Sequence, residues 1–151
     1  MIQDSFLLLS KVWKKINSPN MDLFSGRLLL QKKVYLLQEM GLNMGYDFKF
    51  YIHGPYSSQL ATDGYKVNLK ENLSDNETNG KVFDKLISLE KNHNNDQFWF
   101  ELLATIVYLR KNNGMTKEEI RQFIIERKPY LYTEVIFSEA YSALISEDII
   151  S

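Results

Sequence analysis

Residues 27–40 (RLLLQKKVYLLQEM) set the terms for the rest of the chain. At helical spacing Leu29, Leu36 and Met40 share one side, Leu30, Val34 and Leu37 lie beside them, and Leu28 and Tyr35 widen the apolar surface further. A helix resting on a protein surface needs one apolar stripe. This segment is apolar over more of its circumference, so the pattern predicts a central core helix from about Ser25 to Met40. Lys33 falls inside the stripe, where the expected arrangement is a stem laid on apolar neighbours and an ammonium turned out to water. Gly41 supplies the stop, because glycine takes the left-handed conformation without a Cβ clash.

The segments around this helix read as mostly helical. Phe6, Leu9, Val12, Trp13 and Ile16 predict an opening helix that ends before Ser18-Pro19-Asn20. Alternation from Tyr46 to Ile52 predicts a strand with Tyr46, Phe48, Phe50 and Ile52 on one face, broken by Gly54-Pro55. Ser57 or Ser58 is placed to cap a helix running to about Asn68, with Leu60, Ala61, Tyr65 and Leu69 inward. Residues 70–80 (KENLSDNETNG) form a polar, loop-like stretch, followed by a helix over Val82–Leu89 and a second polar patch, Glu90–Asp96. Further helices are expected over Phe98–Arg110, from Thr116 towards Pro129, and over Thr133–Ser146, the last with Ile136 or Phe137, Tyr141, Leu144 and Ile145 inward. Thr116 and Glu119 have the spacing of a capping box. The expected fold is mainly α (α+β): a compact helical domain with a small β element near residues 46–53 and a winged-helix-like C-terminal half. One domain spans 1–151, with 1–90 and 97–151 as its natural subdivision.

At 151 residues, roughly 70 % of the unfolded surface can be buried, so no disulfide or metal staple is required. The chain has no cysteine, which excludes thiolate chemistry and Cys-ligated zinc and agrees with a reducing, cytoplasmic setting. No export signal and no apolar run long enough for a bilayer is found, so no membrane association is expected. A net charge of −1 gives the chain no general attraction to phosphate backbones.

Three features could carry function. His53, in His53-Gly54-Pro55-Tyr56-Ser57, stands at a strand end beside two hydroxyls and could act as a general base, given a carboxylate partner to fix its tautomer. The alternative is a structural turn in which Ser57 caps the next helix and His53 bonds locally. His93, in a polar loop, is expected to be solvated. No histidine spacing suits a metal, and no glycine-rich phosphate loop occurs, so neither metal nor cofactor is implied. The helices after residue 100 resemble the helical part of a winged-helix domain. The segment that would enter the DNA groove carries Glu134, Glu139 and Glu147, which phosphates repel, although Lys117, Arg121, Arg127 and Lys128 leave a backbone-contact surface open. Finally, Tyr51, Tyr56, Tyr130 and Tyr132 sit next to turns, where tyrosine commonly anchors protein interfaces.

Gln31-Lys32-Lys33-Val34-Tyr35-Leu36-Leu37, then Gly41, then Tyr46-x-Phe48-x-x-Tyr51-x-x-Gly54-Pro55-Tyr56-Ser57-x-x-Leu60, resembles the YwgA-type bacterial proteins. More distantly it is similar to the SocA/Panacea antitoxin domain, in which a KLxYL helix precedes a strand and a GPYS-like turn. The match covers about residues 24–69. The resemblance implies a helical domain used for protein contact, and the Panacea likeness implies neutralisation of a toxin by direct binding. The leading expectation is therefore a non-enzymatic interaction module, antitoxin-like or an accessory of a defence system. Its protein partner, a toxin or defence component, would meet Tyr51, His53, Tyr56, Ser57, Tyr130 and Tyr132; a homodimer is also compatible. A DNA-binding regulator comes second and an enzyme using His53 third.

Overall fold

The computed structural model describes residues 4–68 and 80–151. It is mainly helical, with α1 (Ser5–Val12), α2 (Phe24–Glu39), α3 (Ser58–Asn68), α4 (Gly80–Glu90), α5 (Gln97–Asn112), α6 (Lys117–Arg127) and α7 (Glu134–Ser146). An antiparallel hairpin of β1 (Lys49–Tyr51) and β2 (Gly54–Tyr56) stands between α2 and α3. Leu69 and residues 70–79 of the expected polar loop lie outside the described residues.

The central-helix expectation holds. Every residue of α2 from Leu28 to Leu37 is buried, because α5 packs along it while the hairpin, α3 and α4 cover its other sides. Being covered all round, α2 leaves Lys33 no path to water. Contrary to the outward turn expected of it, the Lys33 side chain is buried and finds its partners inside the protein. Gly41, at φ 108°, follows the helix in the conformation expected of a stop.

At its other end α2 presses against the preceding loop. A Cβ on Gly26 would stand 1.9 Å from the Asn20 carbonyl oxygen, with only backbone atoms nearest to it, so no side-chain rotation relieves the clash. Gly26→Ala is expected to cost about 1–3 kcal/mol of stability in urea unfolding, the range for overpacking a tight site. Gly80→Ala, where a Cβ would meet nothing within 4 Å, serves as the neutral control.

The opening helix is shorter than expected: α1 ends at Val12 and a 3-10 turn, Lys14–Ile16, continues to a left-handed Asn17. The β element also differs from its expectation. Gly54-Pro55 does not break the structure; it returns as the second strand, pairing Tyr51 with Gly54, Phe50 with Pro55 and Lys49 with Tyr56. Gly54 takes φ 91°, which lets the chain reverse after only two tip residues, Ile52 and His53. Ile52 therefore lies beyond the last paired residues, and it is 82 % exposed rather than aligned with Phe48 and Phe50.

Ser57 caps α3, its Oγ accepting from the Leu60 N–H at 3.2 Å. The buried face of α3 is Leu60, Asp63, Gly64 and Val67, so Tyr65, expected inward, is exposed. The rotation follows from Gly64, which lets α3 approach so closely that a Cβ there would be 2.5 Å from Leu30 Cδ2. Asp63 is tolerated inside because Tyr46 Oη and Gln59 Nε2 donate to it at 2.7 and 2.8 Å.

In the second half, Asp96 caps α5, Thr133 caps α7, and the capping box of Thr116 and Glu119 forms as read. Phe137 is the buried member of its pair with Ile136, while Ile145, expected inward, is exposed; Phe98, at the start of α5, is exposed as well. The strands among the described residues all belong to the first half. No helix among those residues is long and apolar enough to cross a membrane.

Candidate functional site

Three consecutive polar residues on α2, Gln31, Lys32 and Lys33, are buried, and each fastens a different part of the chain. The Gln31 amide both donates to the Ser57 carbonyl (3.0 Å) and accepts from the Ser57 N–H (2.8 Å). Lys32 Nζ donates to the Pro55 carbonyl at 2.6 Å. Lys33 points the other way, to Glu90 at 2.8 Å and the Ile16 carbonyl at 3.3 Å. Gln31 and Lys32 thus hold the Gly-Pro-Tyr-Ser segment by its backbone, while Lys33 fastens α2 to Glu90 and the Ile16 carbonyl.

Behind the hairpin, α5 contributes Glu101, which is 1 % exposed and stands amid the apolar run of its helix. Its Oε2 accepts from Tyr130 Oη at 2.5 Å and from Lys128 Nζ at 2.9 Å; Oε1 lies 3.5 Å from His53 Nδ1. Lys128 also makes a very short bond to the carbonyl of Ile52, which pins the hairpin tip from beneath. A buried charge of this kind persists only when paired and hydrogen-bonded. Burial is the main influence on Lys32, lowering its pKa to about 7; Glu101 opposes this and Lys128 adds to it. Tyr130 is held protonated well above its usual range by burial and by its bond to Glu101. Two buried side-chain atoms among the described residues have no hydrogen-bond partner, and both are here: His53 Nδ1 and Thr105 Oγ1. Thr105 Oγ1 would be 3.0 Å from a Cβ on Gly54, which ties that glycine to the close approach of α5.

Around this anchored tip the surface is aromatic. Phe24 meets the His53 ring edge-on at 5.3 Å, Tyr51 meets Tyr56 at 5.6 Å, and Phe98 meets Tyr130 at 6.4 Å. Phe24, Tyr51, Ile52, Tyr56, Phe98 and Tyr130 are all exposed. Beside the tip, a cavity of about 270 Å³ opens between α2, α3 and the hairpin.

The residues expected to bind a partner divide accordingly. Tyr51, Tyr56, Tyr130 and the partly exposed His53 converge on the hairpin tip. Ser57 is buried in its capping and backbone bonds and presents nothing to solvent. Tyr132 lies with Glu134, Arg121 and Phe137 on the α6–α7 side. Of the basic residues considered for DNA, Lys128 is buried against Glu101, and Arg121 is paired with Glu118 and Glu134; Lys117 and Arg127 are exposed. His93, expected to be solvated, instead stacks on Trp99 at 3.7 Å and bonds Glu139 at 2.5 Å, joining the loop before α5 to α7.

Sequence reasoning missed Glu101, Lys32, Ile52 and Phe24. The available signals were a carboxylate embedded in an apolar helix and adjacent lysines inside an apolar stripe. Among the described residues, no group of three or more His, Cys, Asp or Glu side chains converges as a metal site requires. Comparison with protein-family models, with curated proteins and with solved structures gives no match to this chain.

Proposed function

We propose that this chain is a protein-binding module of antitoxin-like character, and that its contact surface is the hairpin tip with its surrounding aromatic side chains. The observation that carries this reading is Ile52. It is 82 % exposed, yet the backbone beneath it is tied to Lys128 and, through Lys128, to buried Glu101. An exposed apolar side chain on a rigid tip is poor for solubility and good for binding, because the ordering cost of association has already been met in the free protein. Tyr51, Tyr56, Tyr130 and Phe98 supply aromatic anchors around it, the residue types that dominate interface energetics. Glu101 takes Lys128 and Tyr130 on Oε2 and stands 3.5 Å from His53 Nδ1 through Oε1, so it supports the tip from several sides.

The test is capture of the partner from cells producing the chain, identification, and reconstitution from purified components. Ile52→Asp should weaken the reconstituted complex by at least about tenfold, equivalent to roughly 1.4 kcal/mol, without altering the circular dichroism spectrum. If the partner arrests growth when produced alone, the native chain should relieve the arrest and the variant should not. Unchanged affinity in the variant, or capture of nothing but a second copy of the chain, overturns the reading.

A further inference from the structure

We infer that the cavity beside the hairpin is a binding site for a small organic anion built on an aromatic or heteroaromatic ring. Such a site does not depend on the protein-binding reading. The cavity, about 270 Å³, is near the lower end of the sizes of ligand pockets and suits a molecule of one or two rings.

Its wall has a charge of one sign. Arg27 and Lys32 come from adjacent turns of α2, His53 comes from the hairpin, and among the described residues no carboxylate lines the space. Each has donor capacity in hand. The Arg27 guanidinium donates to the Met21 carbonyl at 2.9 Å and forms no ion pair among the described residues, leaving most of its five N–H groups for a ligand. Lys32, 1 % exposed, is bonded to the Pro55 carbonyl, and one acceptor does not exhaust an ammonium. His53 turns Nδ1 inward to Glu101 Oε1, 3.5 Å away, and its Nε2 forms no hydrogen bond among the described residues. Gln31, another polar group of the wall, already holds the Ser57 backbone through both its amide nitrogen and its amide oxygen.

Nor is this positive charge cancelled nearby. Among the described residues, Glu101 is the buried carboxylate that acts on Lys32, and Lys128 is bonded to it as well. Two ammoniums and one carboxylate leave a positive excess towards the cavity when both lysines are charged. The remaining wall is apolar or aromatic: Phe24, Tyr56 and Tyr65 stand with Met21, Leu28 and Ala61. Phe24 and Tyr65 are exposed although large and apolar, as walls of an open ligand site would be. An acid group beside Arg27 and His53, with its ring among Phe24, Tyr56 and Tyr65, satisfies both halves of the wall.

The experiment titrates the full chain with phenyl phosphate and with benzoate, using phenol, benzamide and inorganic phosphate as controls, followed by ¹H–¹⁵N NMR. Both anions should bind saturably and shift the signals of Arg27, His53 and Tyr65, and each control should bind at least about tenfold more weakly. Arg27→Gln should weaken the anions by a similar factor. Ala61→Phe, which fills the cavity and leaves every basic group in place, should abolish binding while the spectrum stays folded; it also carries the test if Arg27→Gln unfolds. Equal binding of the neutral ring compounds, equal binding of inorganic phosphate, undiminished binding by Ala61→Phe, or no saturable binding of either anion overturns the assignment. A chain that binds these probes but no protein refutes only the protein-binding reading, and the converse refutes only this one.

Discussion

Glu101→Leu is expected to lower the unfolding free energy by about 3–5 kcal/mol, the cost of stripping a buried ion cluster of its counter-charge. The substitution leaves the Lys128 ammonium inside the protein with only carbonyl and hydroxyl partners and removes the acceptor of Tyr130 Oη. It also removes the one influence that favours the charged form of Lys32. Glu101→Gln, which keeps an acceptor but loses the charge, should fall between the native protein and the leucine variant. Adding Lys128→Met to Glu101→Leu should recover much of the loss, because a packed apolar pair avoids the burial of a lone charge. Urea unfolding of the native protein, Glu101→Leu, Lys128→Met and the double variant provides the double-mutant cycle. A cost below about 1 kcal/mol for Glu101→Leu would mean that Glu101 is not the counter-charge of this site.

Stability should rise with pH above neutrality, and Lys32 should be the reason. In the unfolded chain this lysine has the ordinary pKa of 10.5; in the fold it is lowered to about 7, first by burial. Below pH 7 it is protonated in both states, and the folded protein bears the full cost of enclosing the charge. From pH 7 to 10 the folded state gives up this proton while the unfolded state keeps it, so the unfolding free energy increases. With a slope approaching 1.4 kcal/mol per pH unit, the gain between pH 7 and 9.5 is about 3 kcal/mol. Above pH 10 the trend reverses. Tyr35, Tyr46 and Tyr130 are held protonated in the fold mainly by burial, so they ionise in the unfolded chain first. Chemical denaturation between pH 6.5 and 9.5 should therefore show a rise that Lys32→Met flattens. A rise of the same size in Lys32→Met assigns it to another group.

What was legible in the chain was what depends on neighbours in sequence. The capping box at Thr116 needs only Glu119 three residues on, and Gly41 needs only its own freedom of φ, so both were read correctly. The central position of α2 was legible because Leu28 to Leu37 is too apolar for one face. The fate of Lys33 was not: snorkelling is the usual outcome for a lysine in an apolar stripe, and only contact with Glu90 and the Ile16 carbonyl, distant in sequence, makes burial affordable. The same holds for the candidate site. Tyr51, Tyr56 and Tyr130 were identified by their position at turns, whereas Glu101 required knowing that α5 passes behind the hairpin. Ile52 was misassigned because alternation was carried one residue past the end of the strand, where the pleat no longer orients side chains.

The bonds that hold the hairpin end on main-chain atoms: the Ser57 N–H and carbonyl, the Pro55 carbonyl and the Ile52 carbonyl. A carbonyl offers the same oxygen whatever residue bears it. The outward side chains at positions 51, 52 and 56 can accordingly be exchanged without touching the anchorage, whereas Gly54 cannot. The tip is thus a natural place for diversification: a combinatorial library at those three positions should yield mostly folded variants.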